Sequence, residues 1–206
     1  MEIVVVATDP QWEELINCSN KVDWVRASDE TTLSQYGSVA ALFNLSRSSI
    51  SPDYGFFKGP VFINAVTETL HSSGAESNIF RINAWPGFLY RNIWEIAGLP
   101  NDESKKILTE LNKEAVMTAD EPGLISARII AMIINEAYYA VNDEVSSRKD
   151  IDTAMKLGTK YPYGPFEWSD LIGIDEIYRL LQVLAHTDKR YLPAPLLTQE
   201  ASKWKL

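Results

Sequence analysis

The sequence is poor in the two side chains that build most metal and nucleophile sites. It has one cysteine, Cys18, and two histidines, His71 and His186. A single cysteine excludes an intramolecular disulfide framework, and so few Cys and His side chains exclude a zinc site built mainly on them. His71 precedes a Ser-Ser-Gly loop and His186 ends a helical pattern, so we interpret both as surface histidines. Cys18 is interpreted as a buried or half-buried thiol.

A basic excess is also missing. The 206 residues carry 19 Lys and Arg against 28 Asp and Glu, a formal charge of −9. A nucleic-acid binder or a binder of anionic membranes needs a basic surface, so neither kind of partner is expected. The chain opens MEIVVVATDP, without a basic leader or a long apolar run. This start predicts no signal peptide or membrane span, and we expect a cytoplasmic protein.

The first 118 residues alternate short apolar runs with short helical patterns. The runs predict strands near residues 3–7, 22–27, 39–45, 61–66 and 79–85, and helices are expected over 11–18 and 104–112. Uninterrupted apolar runs are typical of strands that are buried on both faces of a parallel sheet. Residues 46–54 show no periodicity. The pattern predicts a small α/β domain over residues 1–118.

Glycine is absent where a dinucleotide site would need it. The turn after the first strand reads ATDPQWEE, from Ala7 to Glu14. In dinucleotide-binding sheets, glycines at this turn let the backbone and the helix N-terminus approach the pyrophosphate. Here Pro10 lacks an N–H, and three carboxylates would repel the phosphates. The turn argues against a bound dinucleotide.

Residues 119–206 change to longer helical patterns. Asp120 and Glu121 are candidate caps, and Pro122 suits the first turn of a helix predicted over 122–142. That helix is apolar on more than one face, which suggests the core of a bundle or of a dimer. Further helices are predicted over 151–157, ending at Gly158, over 166–172 and from about residue 175, before a short tail from Pro193.

An aromatic cluster extends from Phe80 to Trp94. Trp85, Phe88, Tyr90 and Trp94 have two interpretations: walls of a ligand cleft, or packing between the sheet and the helical domain, which we favour. Glu95 is a lone acid in the apolar stretch IWEIA. Buried acids are usually paired, so Glu95 is either a structural hydrogen-bonding group or part of a site.

The second half closely resembles the C-terminal domain of the 3-hydroxyacyl-CoA dehydrogenases. The resemblance covers residues 120–197 and is carried by EPGLISAR (121–128), NEA (135–137), DIDTAMKLG (150–158), YPYGPFE (161–167), DLIGID (170–175) and YLPAP (191–195). It implies a shortened, mostly parallel Rossmann-like sheet followed by a helical domain like the C-terminal domain of 6-phosphogluconate dehydrogenase. It also implies NAD as cofactor, an acyl-CoA substrate and a homodimer formed through the helical domain.

The resemblance extends less clearly into the first half. Glu95 matches the family's glutamate, and the catalytic histidine that this glutamate orients lies twelve residues earlier, where this chain has Asn83. An amide cannot act as a general base at neutral pH, which removes assistance worth roughly 10²–10⁴-fold. Ala127 stands where the family has a catalytic asparagine. Glu95 and Asn83 are therefore predicted to be vestigial catalytic positions.

Two hypotheses follow, with a third kept open. The preferred one is a relative that has lost NAD binding and hydride transfer and has a structural, regulatory or ligand-binding role, with an acyl-CoA-like molecule as the candidate ligand. The second is an active NAD-dependent 3-hydroxyacyl-CoA (3-hydroxybutyryl-CoA) dehydrogenase of fatty acid metabolism with an atypical site, for which His71 is the nearest substitute base. The third is a different enzyme that uses Glu95 as its acid or base.

Overall fold

The first half of the chain forms one seven-stranded sheet. The structure is a computed structural model that describes residues 1–46, 54–75 and 77–203. The strands are β1 (Glu2–Val6), β2 (Asp23–Arg26), β3 (Ala41–Asn44), β4 (Val61–Ile63), β5 (Ile79–Ile82), β6 (Ile93–Ala97) and β7 (Glu114–Met117). Their order across the sheet is β2-β1-β3-β4-β5-β6-β7. All neighbours are parallel except β5 and β6, which run antiparallel. The predicted mostly parallel sheet is confirmed.

The predicted apolar runs coincide with β1 to β5, whereas β6 and β7 were not predicted. All residues of β3, β4 and β5 are buried, as are four of the five residues of β1, and each of these strands lies in a predicted apolar run. The sheet has buried apolar clusters on both faces, one of which includes Leu15, Ile107 and Leu108 from flanking helices. All four residues of β7 are exposed, and its short apolar run, residues 115–117, was not predicted as a strand.

Three helices accompany the sheet: α1 (Asp9–Ile16), α2 (Leu70–Ser73) and α3 (Asp102–Glu110). Helices α1 and α3 begin two residues before the predicted starts at Gln11 and Ser104. Asn101 accepts a hydrogen bond from the Ser104 amide at 2.7 Å, which caps α3 at its first turn. Residues 47–53, most of the aperiodic segment 46–54, lie outside the described residues.

The second half is helical: α4 (Ser126–Asn142), α5 (Arg148–Thr159), α6 (Pro165–Ile172), α7 (Ile174–Ala185) and α8 (Pro195–Ser202). The prediction that α4 begins at Pro122 is wrong. Gly123 and Leu124 have φ of 84° and 48°, and the Gly123 amide donates to the Val66 carbonyl, so the helix starts only at Ser126. The prediction that this helix ends at Gly158 is wrong: α5 continues to Thr159 and is capped by Lys160, which has φ of 58°. The predicted tail contains α8.

The chain forms two compact units, Met1–Ile125 and Ser126–Leu206. The division lies seven residues beyond the expected boundary between residues 118 and 119. We refer to the two units as the sheet unit and the helical unit. Among the described residues, no helix is long and apolar enough to cross a membrane.

Candidate functional site

The sheet unit has its topological switch point at the carboxyl ends of β1 and β3. Strand β1 lies between β2 and β3, so the chain leaves it first toward one side of the sheet and later toward the other. In open α/β sheets, ligands bind in the crevice outside these strand ends. The turn from Ala7 to Pro10 and the residue after β3, Leu45, border this crevice.

Gln11 occupies the crevice with its own side chain. Its Nε2 donates to the Leu45 carbonyl and to the Ala84 carbonyl, both at 2.7 Å. Its Oε1 accepts from the Thr8 amide at 3.0 Å and from the Thr8 hydroxyl at 2.9 Å. Gln11 is 3% exposed. Both amide protons and the carbonyl oxygen of Gln11 therefore bind protein groups at the switch point.

Asn64 completes a ring of hydrogen bonds at the same edge. Its Nδ2 donates to the Leu45 carbonyl at 3.1 Å, and its Oδ1 accepts from the Ala84 amide at 3.0 Å. With the two bonds from Gln11, the ring joins the segments that follow β3, β4 and β5. The ring thus gives the Leu45 and Ala84 carbonyls and the Ala84 amide hydrogen-bond partners within the protein.

The first turn does not fit a dinucleotide pyrophosphate. It contains no glycine, Pro10 offers no N–H, and the Thr8 amide is taken by Gln11. The Asp9 carboxylate lies at the start of α1, where a phosphate would gain from the helix dipole, and Arg26 pairs with it at 2.6 Å. Arg26 also donates to the Ala7 carbonyl at 2.9 Å. The Thr8 amide, the Ala7 carbonyl and the Asp9 carboxylate thus have hydrogen-bond partners within the protein.

Asn83 and Glu95 belong to adjacent antiparallel segments. The paired residues Arg81–Ala97 and Ile82–Ile96 fix the register of β5 and β6, and one further step of this register sets Asn83 opposite Glu95. The Asn83 Oδ1 accepts from the Trp85 amide at 3.1 Å. Glu95 Oε2 accepts from the Ile125 amide at 2.8 Å, and Glu95 borders a hollow of about 420 Å³. Their vestigial catalytic role stays a prediction.

Of the other residues considered from the sequence, both histidines are exposed and Ala127 is buried. His71 is exposed on α2, and its backbone amide donates to Asp120 at 2.9 Å. His186 is exposed at the end of α7. Ala127 is fully buried in the first turn of α4. Among the described residues, no group of three or more His, Cys, Asp or Glu side chains could hold a metal ion.

Cys18 is half-buried beside Lys113. Burial raises the pKa of its thiol, and the Lys113 ammonium opposes this rise. A raised pKa keeps the sulfur protonated at neutral pH, which disfavours a nucleophilic role.

Three of the four aromatic residues are buried. Trp85, Phe88 and Trp94 are 2–3% exposed, whereas Tyr90 is 52% exposed. Trp94 packs in the apolar cluster that also contains Phe43, with an edge-to-face ring contact at 6.3 Å. Its indole N–H donates to the Leu89 carbonyl at 3.0 Å. Trp94 is therefore a core residue of the sheet unit.

A buried ion pair that sequence reasoning missed holds the end of the sheet unit together. Arg81 on β5 is fully buried and donates through Nη1 to Asp120 at 2.6 Å. Its Nε donates to the Ala65 carbonyl at 2.8 Å. Asp120 also accepts from the amides of Leu70 and His71, at 3.0 and 2.9 Å. Four separated segments of the chain meet at this pair.

The environment of the pair shifts both pKa values. Burial lowers the pKa of Arg81, and Asp120 opposes that shift. Burial alone would raise the pKa of Asp120, but the His71 and Leu70 amides and the Arg81 guanidinium outweigh it, so the pKa is lowered overall.

A lone charge inside the apolar run IFRI was the sequence signal for this pair. The signal for Gln11 was its place three residues after Thr8, as in a capping box.

The fold defines a class of protein with a Rossmann-like sheet followed by a helical unit. The crystal structure of Mycobacterium tuberculosis FadB2 matches with a TM-score of 0.73 and 14% identity, over 100% of this chain and 94% of that one. That of (S)-3-hydroxybutyryl-CoA dehydrogenase PaaH1 from Ralstonia eutropha matches with a TM-score of 0.69 and 17% identity, over 98% and 93%. At these identities the likeness concerns the fold.

The helical unit matches a known domain family. Residues 123–206 match the family model described as 3-hydroxyacyl-CoA dehydrogenase, C-terminal domain. The 3-hydroxyadipyl-CoA dehydrogenase of Escherichia coli K12 is 47% identical over 96 residues, which are 46% of this chain and 20% of that protein. The 3-hydroxybutyryl-CoA dehydrogenase of Bradyrhizobium diazoefficiens is 38% identical over 111 residues, 50% of this chain and 38% of that protein. Residues 123–206 thus form a C-terminal domain of the 3-hydroxyacyl-CoA dehydrogenase family, as the sequence resemblance indicated, and the matched part of the chain spans at most about two fifths of these relatives.

Proposed function

We propose that this chain is a relative of the 3-hydroxyacyl-CoA dehydrogenases that has lost NAD binding and hydride transfer. Gln11 carries the proposal, because its side chain fills the switch-point crevice and binds Thr8, Leu45 and Ala84. A pyrophosphate there would have to displace four hydrogen bonds of a buried amide and would approach the Asp9 carboxylate. Without hydride transfer, the role of the chain in fatty acid metabolism is structural, regulatory or the binding of an acyl-CoA-like ligand.

The residues at the proposed vestigial positions support the same proposal. Asn83 offers an amide where hydride transfer needs a base that takes the substrate's hydroxyl proton. Glu95 binds the Ile125 amide, a backbone donor that gives its carboxylate a structural partner. Ala127 has no polar side chain. Loss of the base and loss of the cofactor would remove the reaction together.

An assay of acetoacetyl-CoA reduction by NADH tests the proposal. The wild-type chain is expected to give no turnover above the blank. Turnover that Glu95→Ala abolishes would contradict the proposal. The variant Asn83→His/Ala127→Asn restores the family's side chains at both positions, so activity in this variant would support the alignment and show that the nucleotide site remains. Inactivity of both proteins, with no NADH binding, is the result expected if the nucleotide site itself is lost.

One observation favours the second hypothesis, an active NAD-dependent 3-hydroxyacyl-CoA dehydrogenase. The fold likeness to FadB2 covers the whole chain, so the sheet that binds nucleotides in other Rossmann-like proteins is retained. On this hypothesis, NADH raises the melting temperature, because a ligand that binds the native state stabilises it by mass action. A third candidate, an enzyme that uses Glu95 as acid or base, predicts activity that does not require NADH.

We further propose that the chain forms a homodimer through α4, in a reducing cytoplasmic compartment. Ile129 on α4 is 51% exposed, and with Met132, Ile133 and Tyr191 it borders an open hollow of about 430 Å³. An exposed apolar helix face of this kind is typical of subunit interfaces. Light scattering of the wild type and of Ile129→Glu tests this proposal. A wild type that stays monomeric would contradict it.

A further inference from the structure

The loop after β5 has the geometry of an anion site, and one of the protein's own carboxylates occupies it. Glu14 Oε1 accepts from the Gly87 amide at 2.5 Å, and Oε2 accepts from the Leu89 amide at 3.0 Å. The Phe88 amide between them donates instead to the Trp85 carbonyl at 3.1 Å. The two oxygens of one carboxylate therefore bridge alternate amides of a single short loop.

The backbone of this loop is shaped for anion binding. Gly87 has φ of 89°, in the left-handed region, and Phe88 after it has a negative φ. Successive residues of opposite handedness turn alternate N–H groups into one concavity, called a nest, which binds carboxylates and phosphates. A positive φ at Gly87 is accessible to glycine without a Cβ penalty.

The opposite side of the loop is held independently of Glu14. The Lys113 ammonium donates to the Leu89 carbonyl at 2.9 Å and to the Arg91 carbonyl at 2.7 Å. The Trp94 indole N–H also donates to the Leu89 carbonyl, at 3.0 Å. Lys113 is 8% exposed, and its ammonium lies 5.1 Å from the Trp94 ring centroid. These contacts hold the Leu89–Tyr90 and Arg91–Asn92 peptide groups, which directly follow the amides that bind Glu14.

The charges nearby also suit an anion. The Arg91 guanidinium stacks on Phe88, 4.0 Å from the ring centroid. Within the described residues, Arg91 has no ion pair. The buried Lys113 ammonium stands behind the loop with backbone carbonyls as its hydrogen-bond partners. The Glu14 carboxylate therefore binds a loop that two cations, Arg91 and Lys113, also contact.

We propose that the Gly87–Leu89 nest is a binding site for a small oxyanion, a carboxylate or a phosphate group, and that Glu14 is its built-in occupant. Because Glu14 is tethered to the same fold, its effective concentration at the nest is on the order of millimolar or higher. A free anion binds when Glu14 leaves the nest. Gln11, one turn earlier on α1, binds Ala84 in the same loop region, so departure of Glu14 also loosens one attachment of α1.

Chemical rescue of Glu14→Ala tests this inference. Addition of about 100 mM sodium acetate or sodium phosphate, against sodium chloride of equal ionic strength, is expected to raise the melting temperature of the variant by roughly 3–5 °C if the anion binds with a Kd of about 10 mM. The wild type and Glu13→Ala, which removes an exposed carboxylate on the same helix, are expected to show no such difference between salts.

Amide NMR locates the effect. Acetate is expected to shift the Gly87 and Leu89 amide resonances of Glu14→Ala in a saturable way and to leave those of the wild type in place. If Glu14→Ala does not fold, Glu14→Gln keeps one acceptor at the nest, and acetate is then expected to shift one of the two amides. Equal responses of the variants, the wild type and Glu13→Ala to acetate and chloride would overturn the inference. NADH binding by the wild type would contradict the proposed function and leave this inference standing.

Discussion

The helical unit keeps a close-packed family pattern, whereas the sheet unit fills its switch point with its own side chains. In the helical unit, Asp152 Oδ1 accepts from the Phe166 amide at 2.8 Å, and a Cβ on Gly164 would overlap that oxygen. In the sheet unit, Gln11 and Glu14 bind the edge of the sheet from α1. In the sheet unit, local side chains thus give hydrogen-bond partners to backbone groups at the switch point, where the first turn has no glycine.

The match to the family's C-terminal domain lies in the helical unit. Residues 123–206 include the Asp152–Gly164–Phe166 contact, in which three positions constrain one another. A packing constraint of this kind operates whether or not a ligand binds. The glycine turn of a dinucleotide site is constrained by its ligand, and the turn from Ala7 to Pro10 lacks those glycines.

The largest effect is expected at the buried ion pair of the sheet unit. Asp120→Ala leaves the Arg81 guanidinium, which is fully buried, without its carboxylate and is expected to lower the free energy of unfolding by about 3–5 kcal/mol. Urea unfolding of the wild type and the variant measures this difference in the free energy of unfolding. Asp102→Ala, at an exposed carboxylate 3.9 Å from Lys105, is the control and is expected to cost less than about 1 kcal/mol. Equal costs of the two variants would refute the role given to the pair.

The helical unit is tested at Gly164. Gly164→Ala brings a Cβ against Asp152 and is expected to destabilise by about 1–3 kcal/mol. Gly158→Ala is the matched control on α5, where nothing lies within 4 Å of the added Cβ, and it is expected to stabilise by up to about 1 kcal/mol. Thermal unfolding of the two variants measures both. The same sign of change in both variants would contradict this account of the packing.

The polar ring at the switch point is tested by Gln11→Leu. The substitution leaves the Ala84 carbonyl and the Thr8 amide without the partners described, and a cost of about 2 kcal/mol is expected. Gln199→Leu, at an exposed position of α8, is expected to change stability by less than about 0.5 kcal/mol. Chemical denaturation compares them, and a neutral Gln11→Leu would mean that the ring does not stabilise the sheet unit.

Acid is expected to weaken the sheet unit through Asp120. The pKa of its carboxyl is lower in the folded protein than in the unfolded chain, so its contribution is fully present above the unfolded pKa, about 3.9, and is lost as pH falls through the folded value. Unfolding free energies of the wild type and Asp120→Asn, measured from pH 5 downward, are expected to converge. A difference that stays constant over this pH range would contradict the assignment.

The sequence predicted the architecture better than it predicted the site. Apolar runs located β1, β3, β4 and β5 because these strands are buried on both faces. Strand β7, an exposed edge strand, was missed because its apolar run has only three residues, 115–117. The start of α4 was misplaced because the left-handed Gly123 and Leu124 depend on a contact with Val66, far away in sequence.

The site follows the same division between local and distant contacts. The missing glycines in the turn from Ala7 to Glu14 could be read directly from the sequence. The role of Gln11 could not, since its partners Leu45 and Ala84 lie 34 and 73 residues away. The same holds for Arg81 and Asp120, which are 39 residues apart.

The central claim, that this chain does not bind NADH, is tested most directly by titrating the wild-type chain with NADH. Calorimetry and the amide resonances of Thr8 and Leu45 monitor the titration. The account predicts no saturable heat and no shift of these resonances up to about 1 mM NADH, the upper end of ordinary substrate affinities. Saturable binding well below that concentration, with shifts at Thr8 and Leu45, would show that a dinucleotide displaces Gln11 and would contradict the account.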